Sequence, residues 1–169
     1  TPHVALAGAS STPSNHGPYA FRDYVDGLPF VNDPEFTPRF NALVRDRGID
    51  LVYPAHDDAV LHFARNRDAL ACGVVGSAPE TCTVARSKRA TYEHLRGCVA
   101  TPRLFDPDDG ALPFPVFLKP ECGHSARGVY LVNSRAELEV FLGRDPSLMV
   151  MEYLPGAEYT IDCFTDRHG

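Results

Sequence analysis

Two lysines and a glycine-bearing loop are the residues of this 169-residue chain best suited to chemistry. Lys119 ends the apolar run Phe114-Pro115-Val116-Phe117-Leu118. Pro120 and then Glu121-Cys122-Gly123-His124-Ser125-Ala126-Arg127-Gly128 follow it. A loop with two glycines and small side chains between apolar runs can turn its backbone N–H groups inward, and such a concave set of donors binds phosphate oxygens. The ammonium before it adds a point charge. Of the 16 basic residues all but Lys88 and Lys119 are arginines. The weight of that count depends on where the two lysines lie.

Other chemistries find less support. His56-Asp57-Asp58 follows an apolar run, at the kind of position where open α/β sheets bind ligands. Helix capping by Asp57 accounts for it more simply. Asp108-Asp109 belongs to a turn, no Ser/His/Asp nucleophile arrangement can be assembled, and Tyr92 and His94 need no functional account. No GxGxxG follows a strand, and Gly8-Ala9-Ser10-Ser11 is a poor substitute, which disfavours a dinucleotide-dependent oxidoreductase. The 5 cysteines (Cys72, Cys82, Cys98, Cys122, Cys163) stand singly without a CxxC spacing, so they read as buried or half-buried reduced thiols of a cytoplasmic protein. No signal peptide opens the chain. A net charge of -6 speaks against a nucleic-acid partner. The charge-free run from Thr1 to Phe21 is interrupted by polar residues and Pro. A spanning helix needs roughly 18 or more consecutive apolar residues, so no membrane role is expected.

The elements that must position these residues fall into two stretches. His3 to Ala7 reads as a strand ended by the Gly8–Ser11 turn, and Ser11 to Pro29 as an extended loop without period. Asp33-Pro34 opens a helix with Asp33 as N-cap. Phe36, Phe40, Leu43 and Val44 form its apolar face, and Gly48 its end. Ile49 to Tyr53 is a β-branched strand. The helix after it turns Val60, Leu61, Ala64 and Leu70 inward, and Gly73 to Gly76 is a third strand. Strand and helix alternating at this spacing predict a parallel sheet with helices on its faces.

Beyond Ser77 the chain is helical in two pieces, the first opened by Pro79 and the second running from Arg86 to Arg96. A strand follows at Arg103 to Phe105, and Asp106 to Gly110 forms a turn between sub-domains. From Pro115 strands dominate: Val116 to Lys119, Val129 to Val132, Leu148 to Met151 and Tyr159 to Phe164. One helix interrupts them, with Ser134 and Glu137 as a capping box and Leu138, Val140, Phe141 and Leu142 as its apolar residues. Asp166 to Gly169 reads as a hairpin turn, so the chain is expected to be truncated inside a hairpin. An unpaired terminal strand there would be open to a second copy, a homodimer.

The run from Ser87 to Asp166 resembles the N-terminal half of an ATP-grasp domain, most like the large subunit of carbamoyl phosphate synthase and small carboxylate–amine ligases. Four segments carry the resemblance in the family's order. Arg86-Ser87-Lys88 matches a segment that usually reads Asp-Lys, with Ser87 in place of the acid. Lys119-Pro120 matches the second lysine, and Gly123 to Gly128 the phosphate-covering loop. Met151-Glu152-Tyr153-Leu154-Pro155-Gly156-Ala157-Glu158-Tyr159-Thr160-Ile161-Asp162 matches the hinge strand and its ribose-binding acid. Residues 1–86 are similar to the preceding Rossmann-like domain, with the usual first strand and glycine turn absent, and residues 87–169 to the first half of the clamp.

The resemblance implies an α/β fold: a Rossmann-like parallel sheet followed by the N-terminal α+β part of an ATP-grasp domain. It implies ATP bound through Lys88, Lys119, Gly123, Ser125 and Gly128 at the phosphates. Glu152 and Leu154 would meet the adenine edge with backbone groups, and Glu158 the ribose, whose two vicinal hydroxyls match two carboxylate oxygens. Val116, Val150 and Met151 would pack near the adenine ring. Magnesium ligands are expected after Gly169, leaving this fragment without catalytic or metal residues and inactive alone. The implied reaction activates a small carboxylate as its acyl phosphate, which an amine then displaces. The alternative is a non-catalytic module that holds nucleotide for regulation.

Overall fold

The computed structural model describes residues 4–123, 127–161 and 163, and the chain forms two compact units, Thr1–Thr91 and Tyr92–Gly169. In the first, strand β1 (Ala7–Ala9) leads through a short helix α1 (Gly17–Ala20) to β2 (Asp23–Val25), which pairs with it in parallel. Helix α2 (Phe36–Arg47), β3 (Leu51–Val52), α3 (Asp57–Arg65), β4 (Gly73–Val74) and α4 (Pro79–Arg86) follow, with β4 parallel to β3. The expected parallel pairing is present, divided between two separate two-stranded sheets.

Phe36, Phe40 and Val44, at helical spacing on α2, are buried against Phe63 of α3, and the Phe40 and Phe63 rings meet edge-on at 4.8 Å. Burying three such side chains contributes on the order of 6 kcal/mol of transfer free energy. Asn41 lies on the same buried face. Its amide donates to the Ala69 carbonyl at 2.7 Å, and its Oδ1 accepts from Ala71 N–H at 2.8 Å, so its burial leaves no polar atom unsatisfied. Gly48 ends α2 in the left-handed region (φ 61°), where a residue without Cβ carries no steric penalty.

Several local expectations need correction here. The first strand lies at Ala7–Ala9 rather than His3 to Ala7, and Val4 and Leu6 are exposed. The loop predicted for Ser11 to Pro29 contains α1 and β2. Asn15 shapes this segment by accepting from Gly17 N–H at 2.7 Å and hydrogen-bonding the Tyr24 hydroxyl. Asp33 is not the cap of α2: its carboxylate accepts from Glu35 N–H in the turn before the helix, and the N-cap position is Glu35. At α3 the cap is His56, whose Nδ1 accepts from Asp58 N–H at 3.3 Å, rather than Asp57.

In the second unit, β5 (Leu104–Phe105), β6 (Val116–Pro120), β7 (Tyr130–Val132) and β8 (Leu148–Glu152) form one antiparallel sheet in the order β5-β8-β6-β7. Helix α6 (Arg135–Arg144) covers one face. Its capping box is present: Ser134 Oγ accepts from Glu137 N–H, and Glu137 accepts from Asn133 N–H at 2.8 Å. Alternation along the strands sends Val116, Leu118, Val132, Leu148 and Val150 into one core with Leu138. Tyr130 stacks on Phe141 at 4.2 Å at its margin, whereas Val140, another of the helix's apolar residues, is exposed.

No strand forms over Tyr159 to Ile161. Tyr159 and Ile161 are exposed, so the edge expected to recruit a second copy is absent among the described residues; the predicted hairpin turn, Asp166 to Gly169, lies outside them. All five cysteines are free. Cys98, Cys122 and Cys163 are exposed, against the expectation of buried or half-buried thiols. Among the described residues no helix is long and apolar enough to cross a membrane.

Candidate functional site

The face of the second sheet opposite α6 is where the candidate residues gather. Register pairs Phe117 with Met151 and Lys119 with Met149, and side chains of paired residues share a face. Phe117, Lys119, Met149 and Met151 therefore lie together on the side away from Val116 and Leu118. This corrects the expectation that Val116 and Val150 line a base-binding surface, since both belong to the α6 core. Met151 alone of the three lies on the other face. Lys119 stands opposite Met149, three residues from Glu152 at the end of β8, which is about 10 Å at the rise of a strand.

The Lys119 ammonium lies 5.5 Å from the centroid of the Tyr92 ring, a cation–π contact that fixes the side chain. Sequence reasoning gave Tyr92 no role, because nothing local links position 92 to position 119. Lys119 leads into the loop through Pro120, whose ring packs against both loop glycines. A Cβ on Gly128 would meet Pro120 Cγ at 3.1 Å, and one on Gly123 would meet Pro120 Cβ at 3.5 Å. Gly128 also has φ 70°, so glycine is required there for both space and backbone. Ser125, the third loop residue named from sequence, lies outside the described residues.

Lys88 is the first residue of helix α5 (Lys88–His94). Ser87, which stands where the resembling family has an acid, accepts Ala90 N–H with its Oγ at 3.0 Å, the capping bond an Asp would also make. Just before it, Arg86 donates through Nε and Nη2 to Asp58 Oδ1 at 2.9 and 2.7 Å, joining α4 to the start of α3. The His56-Asp57-Asp58 cluster is thus engaged in capping and in this ion pair.

At the end of β8, Glu152 N–H donates to the Arg103 carbonyl at 2.8 Å. The reciprocal bond is unusual: Arg103 N–H goes to the Glu152 carboxylate at 3.2 Å rather than to the Glu152 carbonyl, and the Arg103 guanidinium lies 3.7 Å from the same carboxylate. Leu154 is exposed, and no described residue accepts its N–H. Glu158 is exposed in an irregular segment. The structure therefore brings Lys119, Gly123, Gly128 and Glu152 to one sheet and its loop, while Leu154 and Glu158 lie on the chain leaving it.

No protein-family model matches the chain. Carnosine synthase 1 of Gallus gallus is 30% identical over 166 residues, covering 77% of this chain and 18% of that protein. Among solved structures, the L-amino acid ligase from Bacillus licheniformis superposes with a TM-score of 0.67 at 21% identity, over 90% of this chain and 39% of that one. The biotin carboxylase domain of 2-oxoglutarate carboxylase from Hydrogenobacter thermophilus, solved with MgADP, ADP and bicarbonate, gives 0.59 at 18% identity over 78% and 35%. The chain thus spans about a fifth of the curated relative and little more than a third of these solved chains.

Proposed function

We propose that this chain, which has the fold of the N-terminal part of ATP-grasp proteins, is the ATP-gripping part of a ligase that joins a carboxylate to an amine. The L-amino acid ligase and carnosine synthase 1, the relatives named above, support a reaction between a carboxylate and an amine. One observation carries the nucleotide reading. One sheet face carries half-buried Phe117 and buried Met151, then half-buried Lys119 about 10 Å from the Glu152 end of β8. An apolar surface leading to one ammonium suits a molecule with a flat base at one end and phosphates at the other.

In this reading the adenine lies against Met151 and Phe117. The Glu152 carbonyl accepts from its amino group, and Leu154 N–H donates to its ring nitrogen. Glu158 takes the ribose hydroxyls. Lys119 exchanges the Tyr92 ring for phosphate oxygens, and the N–H groups between Gly123 and Gly128, Ser125 among them, cover the same oxygens. Lys88 also contacts phosphate, the role its resemblance implies. A carboxylate oxygen attacks the γ-phosphorus and ADP leaves; the amine nitrogen then attacks the acyl carbon and phosphate departs. Magnesium, when bound, would supply neutralisation of the phosphate charge. Among the described residues no three His, Cys, Asp or Glu side chains group to hold it.

Calorimetric titration with ATP tests the reading. A charged hydrogen bond contributes about 1.5–3 kcal/mol, so Lys119→Ala weakens binding by about tenfold or more. Equal affinity in the variant and the wild type removes Lys119 from the site.

A further inference from the structure

The bond between Arg103 and Glu152 has a consequence for base selection. In an antiparallel ladder a hydrogen-bonded pair exchanges two bonds, each N–H going to the partner's carbonyl. Arg103 and Glu152 form such a pair, next in register after Leu104 and Met151, yet complete only half of it. The Glu152 carboxylate takes the Arg103 N–H at 3.2 Å, and the nearby guanidinium, 3.7 Å away, holds it in place. The Glu152 carbonyl is left with no N–H donor among the described residues.

We infer that the Glu152 side chain is a positioning residue. By occupying the Arg103 N–H it keeps the Glu152 carbonyl open as an acceptor, and so selects purine nucleotides that carry a 6-amino group. The inference rests on the nucleotide reading above and deepens it. An open carbonyl rewards the N6 donor of adenine and opposes the 6-oxo acceptor of hypoxanthine or guanine. Without the carboxylate, the Arg103 N–H is free to complete the ladder and close that acceptor. The effect passes through the backbone, so it acts on the base and leaves the phosphate contacts unchanged.

The test is calorimetric titration of ATP and inosine triphosphate against four forms: wild type, Glu152→Gln, Glu152→Ala, and Glu152→Ala combined with Arg103→Pro. A neutral hydrogen bond predicts a preference for ATP of several-fold, up to about tenfold, in the wild type. Glu152→Gln keeps an acceptor for the Arg103 N–H and keeps the preference. Glu152→Ala brings the ATP-to-inosine ratio close to one, because ATP loses its acceptor and inosine triphosphate is relieved of the repulsion; a circular dichroism spectrum and melting curve matching wild type report that the variant is folded. Proline at position 103 has no N–H, tolerated at a strand start, so the double variant regains the preference. An unchanged ratio in Glu152→Ala, or no recovery in the double variant, overturns the inference alone. A wild type that binds neither nucleotide overturns the nucleotide reading and the inference with it.

Discussion

Replacing Gly128 by alanine tests whether the loop is built on Pro120. The backbone at Gly128 has φ 70°, a conformation that costs an L-residue about 1–2 kcal/mol. The new Cβ would lie 3.1 Å from Pro120 Cγ, so the ring must give by a few tenths of an ångström. That ring belongs to β6, where Pro120 pairs with Leu148, and its displacement strains the strand that carries Lys119. The two effects together amount to about 2 kcal/mol, a fall of roughly 10 °C in the melting temperature of a unit this size. Gly123→Ala is the matched control. Its Cβ would meet Pro120 Cβ at 3.5 Å, an ordinary contact, and its φ lies outside the left-handed region. The control is therefore expected within about 0.5 kcal/mol of wild type, as for a change away from strained or buried positions. Thermal unfolding followed by circular dichroism reads both variants. Melting temperatures that coincide would refute the reasoning.

Leu138→Ala removes a side chain that is 0% exposed beneath the four-stranded sheet, and urea unfolding should show a loss of about 3 kcal/mol. Val140→Ala on the same helix, at 53% exposure, should change stability by less than about 0.5 kcal/mol. Burial pushes the His62 imidazole below its ordinary pKa, and its ring meets Phe36 edge-on at 5.1 Å. The unfolded chain takes up that proton first, so stability is fully present above about pH 6.5 and declines as pH falls toward the lower folded value. Denaturant midpoints at pH 7.5 and 5.5 should therefore differ more in wild type than in His62→Gln, and an equal difference would exclude His62 as a source.

What the sequence made legible was local. Pro79 at the first position of α4, Gly48 at the end of α2 and the Ser134–Glu137 capping box each fix a boundary through bonds within a few residues. The periodicity of Phe36, Phe40 and Val44 likewise set one face before any partner was known. Short elements escaped: α1 has four residues and β2 three, too few for a period, and β2 exists because β1 pairs with it. Cap identity also depended on geometry finer than composition, since Asp33 and His56 both precede helices and only His56 bonds the first turn.

The site divided in the same way. Lys119, Gly123, Gly128 and Glu152 stood out from residue type and order. The sheet faces that separate Met151 from Val116 and Val150 required the register of β6 against β8. Tyr92 beside Lys119 and Arg103 beside Glu152 are contacts across 27 and 49 positions, which no local pattern encodes.

A crystal structure with a non-hydrolysable ATP analogue tests the central claim most directly. The account predicts the base against Phe117 and Met151 at the end of β8, with the phosphate chain drawn to the Lys119 ammonium and the loop bounded by Gly123 and Gly128. An analogue bound elsewhere, with Lys119 still resting on Tyr92, would contradict it.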